Sequence, residues 1–428
     1  MRCKSRAKAK QSRAEARQML TIAEEKQDEF DKYLNMKRIS FWAALAVISF
    51  AVSACGGGGG NDGEDKPLDP EPTKPVEEVD PPISEPLVAP VARIDDGRHV
   101  TAYVTYYGSL IPDASVITHI NYAFAELYMV DGVYQKFDLQ GTKTRFQNIV
   151  NLKKTYPQLK ICLSFTHGVA NSNNKQGGSF SMLCKSDENM QKFAEDCLAF
   201  LKEWGIDGID LDWEFPGLSW SGAACDVSCD TDNYVKLVKK LREVLGDKYE
   251  ISYAGYCMDK VQVSGGYRYI DIAGMDKYVD YVNIMTYDLD EAPHHHSALS
   301  DTRAYKDCNR AVNAYLNAGV KPNKIVLGIP FYGRHSFSTS PTAVSYKGIL
   351  NLDPKKYRRN KWDATANCPY VETMQGVFYM GYDNPKSIGI KGNWARQKGL
   401  LGLMYWEYDQ DDSKGTLRTA VWNAVMTP

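Results

Sequence analysis

The chain has 428 residues, 43% hydrophobic and 24% charged, with a formal net charge of −2. That length suits one large domain or two average ones, and the balance is that of an ordinary soluble globular protein. A near-zero net charge with no basic stripe argues against a nucleic-acid partner. The ten cysteines include no CxxC pair and no Cys/His cluster at zinc spacing, so no structural metal is expected.

The first hundred residues read as address and tether. Residues 36–55 are MKRISFWAALAVISFAVSAC. Lys37 and Arg38 form a positive start, and residues 39–52 form a mostly apolar run of 14 residues. Such a run is too short to span a bilayer comfortably and suits a signal-peptide core. Val52-Ser53-Ala54-Cys55 resembles the lipobox of bacterial lipoproteins, which makes Cys55 the candidate lipid anchor. Residues 1–35 read as a start-site misassignment upstream of Met36, or else as a disordered or helical leader. Residues 56–96 open with five glycines and continue rich in Asp, Glu and Pro, a composition that buries no core and predicts a solvated linker. The expected location is secreted and lipid-anchored, at the outer membrane or cell surface. The membrane is engaged through the anchor only.

From residue 97 a pattern of short apolar run, loop and helical stretch repeats. Strands are predicted at 101–107, 118–125, 159–166, 206–213, 249–256, 281–287, 324–332 and 400–406. Helices are predicted at 143–156, 187–204, 231–245, 302–319 and 415–426. In the second of these Met190, Phe193, Ala194, Cys197, Leu198 and Leu201 recur at helical spacing. Eight strands alternating with helices over residues 97–428 predict one catalytic (β/α)8 barrel, a TIM barrel. No GxGxxG follows the first strand, which argues against a doubly wound sheet. Chemistry on a barrel sits at the C-terminal ends of its strands.

The end of the fourth predicted strand carries an acid row. Asp210, Asp212 and Glu214 alternate along the strand, share one face, and lie about 6–7 Å apart in Cα position. A structural core would hold Val or Ile there, because carboxyls inside a barrel are costly unless protons or hydrogen bonds relieve them. Crowding is expected to raise the pKa of at least one of them. An EF-hand counted from Asp210 would need Gly and an acid where Phe215 and Ser221 stand, so a calcium loop is excluded. Asp207 has the opposite strand parity and reads as structural.

The segment Asp207-Gly208-Ile209-Asp210-Leu211-Asp212-Trp213-Glu214 resembles the DxxDxDxE signature of glycoside hydrolase family 18, the chitinase family. Further resemblance lies at Thr118-His119-Ile120-Asn121-Tyr122-Ala123-Phe124-Ala125, at Met285-Thr286-Tyr287-Asp288, at Gly328-Ile329-Pro330-Phe331-Tyr332-Gly333-Arg334 and at Gly402-Leu403-Met404-Tyr405-Trp406-Glu407. The resemblance implies hydrolysis of β-1,4-linked N-acetylglucosamine polymers by a retaining, substrate-assisted mechanism without cofactor or metal. It assigns Glu214 as proton donor, Asp212 as orienter of the acetamido group, Asp210 as its proton or hydrogen-bond exchange partner, and Tyr287 as a hydrogen-bond donor to the acetamido oxygen. Met285 and Asp288 would line that subsite, Trp406 would form its floor, and Tyr106 and Arg334 would be wall contacts. The enzyme is expected to act as a monomer.

Two departures from the family pattern stand out. Aligned on Ser164, the two glycines of the usual Ser-x-Gly-Gly motif are replaced by Thr166 and His167. The insertion after strand 7 looks short, with about 48 residues from Arg334 to Tyr382, which predicts a shallower, open-ended cleft. His294-His295-His296 falls in the loop after strand 6 and reads as no metal site. Two other functions fit the same motifs. One is an endo-β-N-acetylglucosaminidase on N-linked glycans. The other is a non-catalytic chitooligosaccharide-binding lectin, which the presence of Glu214 disfavours.

Overall fold

The computed structural model describes residues 79–83, 88–166, 179–218 and 224–427. The leader, the signal segment with Cys55, most of the linker, and His167 lie outside these residues. Among the described residues no helix is long and apolar enough to cross a membrane.

Eight parallel strands close into a barrel. They are β1 (His99–Thr105), β2 (His119–Val130), β3 (Lys160–Thr166), β4 (Gly208–Asp212), β5 (Glu250–Gly255), β6 (Tyr281–Ile284), β7 (Ile325–Pro330) and β8 (Gly402–Trp406). Neighbours in sequence are neighbours in the sheet, and β1 closes the ring by pairing with both β2 and β8. All eight predicted strands are present. Nearly every residue in them is buried, as expected when one face meets helices and the other meets the barrel interior. β2 runs longer than predicted because an antiparallel partner, Val133–Leu139, continues its ladder beyond the barrel.

The helices form where the periodicity and caps dictate. Ser186 caps Asp187–Trp204 by accepting from Asn189 N, and Gly205 ends that helix in the left-handed region at φ 63°. Its apolar stripe meets the outer face of the sheet, where Phe193 lies 5.1 Å from Phe165. Burying each such ring contributes about 1.5–3 kcal/mol. Asp230–Leu245 and Thr416–Met426 match their predicted spans within a residue. Residues 143–156 are divided between Lys143–Val150 and a 3-10 turn, Asn151–Lys154. The helix expected over 302–319 is confined to Cys308–Asn317. Pro385–Gln397 was not predicted, although Asn384 and Ser387 form a capping box at its start.

The insertion after β7 is short but folded. Strands Tyr332–Arg334, Ala343–Ser345, Tyr357–Asp363, Cys368–Thr373 and Phe378–Gly381 form an antiparallel five-stranded sheet, and Tyr346–Leu350 is helical. Arg359, buried in this sheet, donates through Nε to Asp80 Oδ2 at 2.9 Å and through Nη2 to the Pro81 carbonyl at 2.9 Å. Trp422 Nε1 donates to the Val91 carbonyl at 2.8 Å. Parts of residues 79–96 are therefore held against the domain.

The seam between β1 and β8 is tight. A Cβ on Gly402 would stand 1.9 Å from the His99 carbonyl oxygen, backbone against backbone. Gly402→Ala should cost at least about 3 kcal/mol in urea unfolding, because only separation of the strands makes room. Gly389, exposed in a helix with nothing within 4 Å of its missing Cβ, should gain about 0.5–1 kcal/mol on substitution by Ala. A tolerated Gly402→Ala would contradict the close seam.

Candidate active site

Residues of β4 alternate. Ile209 and Leu211 join the main apolar core, while Asp210 and Asp212 lie inside the barrel, and all four are buried. Glu214 follows two residues beyond the strand and is partly exposed. Cis peptide bonds join Glu214 to Phe215, Trp406 to Glu407 and Ala123 to Phe124.

Asp210 accepts four hydrogen bonds from four different strands. Tyr103 Oη of β1 donates at 2.8 Å and Ser164 Oγ of β3 at 2.7 Å, both to Oδ2. Ser252 Oγ of β5 donates at 2.7 Å and Asn283 Nδ2 of β6 at 3.3 Å, both to Oδ1. Burial pushes the Asp210 pKa up, and the four donors oppose it. Each of these hydrogen-bond donors favours the carboxylate.

Asp212 sits next to this fixed negative charge. Its carboxyl is pushed well above the usual range, first by burial, then by the charges of Glu214 and Asp210. Glu214 is pushed up to about 7, mainly by burial, with Asp288 adding to the rise and a hydrogen bond to Asp212 opposing it. The pair titrates as a unit. Both carboxyls of the pair are therefore held above the ordinary carboxylate range. Among the described residues Asp212 Oδ1 has no hydrogen-bond partner, although it is buried.

A cluster of aromatic and apolar side chains stands beside the acids. Tyr103, Tyr287, Tyr332 and Met404 pack together, with Met285, Phe124 and Trp406 partly buried around them. Trp406 stacks on Phe124 at 5.7 Å and lies 5.5 Å from Tyr103. The Tyr287 hydroxyl is held neutral, first by burial and then by the nearby Asp212, Glu214 and Asp288. It can therefore act as a donor.

Asp288 occupies the left-handed region at φ 55°. Arg334 grips it with two hydrogen bonds, Nε to Oδ1 at 2.9 Å and Nη2 to Oδ2 at 2.6 Å. His296 Nδ1 lies 3.3 Å from Oδ1. Burial raises the Asp288 pKa, but these partners win and hold it at about 2, so the carboxylate persists.

Of the residues singled out in the sequence, Glu214, Asp212, Asp210, Tyr287, Met285, Trp406, Asp288 and Arg334 fall into this one region. Tyr106 does not join the apolar cluster. It packs edge-on to Tyr107 at 5.1 Å and against Gly141, and the β1 side chain that reaches the acids is Tyr103. Asp207 accepts from the Ile161 amide and pairs with Lys153 and Lys160, near the strands' N-terminal ends. Tyr103, Ser252, Asn283, Phe124 and His296 were missed. Ser252 and Asn283 are polar residues in the middle of apolar strands, and that pattern was the available signal.

The family model for glycosyl hydrolases family 18 matches residues 99–411. An endochitinase of Manduca sexta is 28% identical over 347 residues, covering 70% of this chain and 59% of that protein. Chitinase 63 of Streptomyces plicatus is 30% identical over 332 residues, covering 68% of this chain and 49% of that protein. This chain therefore spans about half to three-fifths of the length of these two relatives. Among solved structures, a Rhizomucor miehei chitinase superposes with a TM-score of 0.63 at 23% identity, covering 76% of this chain and all of that one. A family 18 N-acetylglucosaminidase of Paenibacillus barengoltzii superposes with a TM-score of 0.61 at 26% identity, covering 77% of this chain and 100% of that one. With a closed parallel barrel, an acid row at the end of its fourth strand and a family match over most of its length, the chain belongs to glycosyl hydrolases family 18.

Proposed function

We propose that the chain hydrolyses β-1,4-linked N-acetylglucosamine polymers, retaining anomeric configuration, with the substrate's own acetamido group as nucleophile. The observation that carries this reading is the state of Asp212. It is a buried carboxyl beside Glu214, pushed well above the usual range by burial and by the charges of Glu214 and Asp210, with one oxygen lacking a partner among the described residues. A buried unpaired acceptor calls for a donor. An acetamido N–H is such a donor, and accepting it would turn the acetamido carbonyl oxygen towards the anomeric carbon.

In the first step that carbonyl oxygen bonds to C1 while the C1–O glycosidic bond breaks. Glu214 gives its proton to the departing oxygen. The positive charge that develops on the acetamido nitrogen is offset by the carboxylate of Asp210, acting through Asp212, and by Asp288. Tyr287 donates to the acetamido oxygen. In the second step Glu214 takes a proton from water, hydroxide adds to C1, and the ring of the intermediate opens. Trp406 offers an apolar face for the distorted sugar. The chitinase names of the two relatives support the substrate class.

For localisation we propose cleavage of the signal segment before Cys55 and lipidation of Cys55, which tethers the enzyme to a membrane while the barrel acts outside the cytoplasm. Mass spectrometry of the mature N-terminus reads this directly. A lipid-modified Cys55 is expected, and a retained residue 36–54 segment would contradict it.

Activity is tested by product mass spectrometry with chitooligosaccharides and, separately, a high-mannose glycoprotein. The wild type should shorten the oligosaccharides, and Glu214→Gln should lower kcat by about 10²–10⁴ with an unchanged or higher melting temperature. Release of glycan from the glycoprotein alone would replace the chitin reading with that of an endoglycosidase. Tight binding without turnover would make the chain a lectin.

The pH profile has a definite sign. Glu214 must be protonated to donate, and burial places its pKa at about 7, so activity should fall as pH rises through about 7. Asp288 contributes to that elevation. Asp288→Asn should therefore move the alkaline limb towards acid by about half a pH unit or more. An unmoved or more alkaline limb would contradict this electrostatic assignment.

A further inference from the structure

Three consecutive residues in the loop after β6 point to three different partners. His295 is buried against the insertion sheet, with its ring edge-on to Phe378 at 5.2 Å and its Nε2 3.2 Å from Asp363 Oδ2. Burial holds His295 neutral and Asp363 is held ionised, so Nε2 carries the hydrogen and donates. His296, the next residue, backs Asp288 as described, and its carbonyl also accepts from the Leu289 amide at 3.0 Å. Ser297 Oγ donates to the Thr286 carbonyl at 2.6 Å, between Met285 and Tyr287 in the chain.

The insertion side of the contact is equally constrained. Asp363 Oδ1 accepts from the amides of Thr365 and Ala366 at 2.9 and 3.2 Å, which fixes the carboxylate at the end of its strand. Its Oδ2 also accepts from Arg303 Nη2 at 2.6 Å, and Arg303 is forked onto Asp301, at 2.8 Å from both Nε and Nη2. Asp301 is buried in the same loop that carries the histidines. Gly381 lets the sheet approach this closely, since a Cβ there would stand 2.7 Å from His295 Nδ1. A buried lysine closes the arrangement from behind. Lys391 Nζ donates to Ser297 Oγ at 2.8 Å and pairs with Asp383 at 2.6 Å.

We propose that Asp363, with His295 and Arg303, forms a latch between the insertion sheet and the loop after β6. Through the neighbouring His296 and Ser297, the latch sets the positions of Asp288 and Tyr287. These are positioning residues, since none of the three touches the reacting atoms. The consequence for catalysis rests on the hydrolytic reading above, whereas the mechanical link does not. Geometry is the reason such a link matters, because small displacements of groups that orient a reacting atom cost large factors in rate.

The test uses the full chain with Asp363→Ala, Asp363→Asn and, as control, Asp80→Ala. The control breaks an ion pair of the same insertion sheet with Arg359, remote in sequence from the loop after β6. Two readouts are taken: kcat and KM on chitotetraose, and deuterium uptake by peptides spanning residues 285–298. Asp363→Ala should lower kcat about tenfold with a smaller change in KM, and Asp363→Asn should recover part of the loss by keeping an acceptor oxygen. Uptake over 285–298 should rise in Asp363→Ala and not in Asp80→Ala, whatever their melting temperatures. Unchanged uptake in Asp363→Ala overturns the latch. So does a kcat loss matched by Asp80→Ala. If uptake rises but the wild type does not cut chitotetraose, the latch stands and the hydrolytic reading fails.

Discussion

A single carboxylate in the centre of the barrel, Asp210, accepts hydrogen bonds from Tyr103, Ser164, Ser252 and Asn283, one each from β1, β3, β5 and β6. A charge buried there without partners would be strongly destabilising. With four donors converging it is tolerated, but only while those strands keep their register around a closed ring. Closure of the barrel is therefore what brings those donors to Asp210. The tight β1–β8 seam at Gly402 belongs to the same condition, because it fixes the strand that carries Tyr103.

The electrostatics of the acid row follow from that fixed charge. Asp212, the next inward-facing carboxyl of the strand, is pushed well above the usual range by burial and by the charges of Glu214 and Asp210. Glu214 faces weaker opposition and titrates near neutrality. Asp288 sets the outer boundary, and it is kept ionised by Arg334 from the start of the insertion and by His296 from the loop after β6. The inner charge is thus held by strands, whereas the outer one is held by loops and by the insertion sheet. The insertion sheet therefore contributes directly, through Arg334, to the charge at the outer edge of the acid row.

The fold was legible where the sequence carried period. Apolar runs bounded by turns marked all eight strands, and the stripe from Met190 to Leu201 marked its helix. Alternation along β4 placed Asp210 and Asp212 inside. What local pattern could not show was convergence. Ser252 and Asn283 are far from Asp210 in the chain, and only closure of the ring brings their side chains to its oxygens. Tyr103 illustrates the same limit, since its reach to Asp210 depends on the closed ring that sets β1 between β2 and β8. The insertion was legible only as short and as opening the cleft, but short antiparallel strands need few residues each, and they suffice for a folded sheet. The histidine run was read only against a metal. Its members instead face opposite ways, His295 to Asp363 and His296 to Asp288.

The central claim is that Asp210 is the anion and Asp212 the proton carrier. Infrared difference spectroscopy, wild type minus Asp212→Asn, at about pH 8.5 tests it most directly, since Glu214 is then largely ionised. The account predicts a carbonyl band from a buried protonated carboxyl in the wild type that disappears in the variant. A difference spectrum without that band would mean that Asp212 is ionised and would contradict the account.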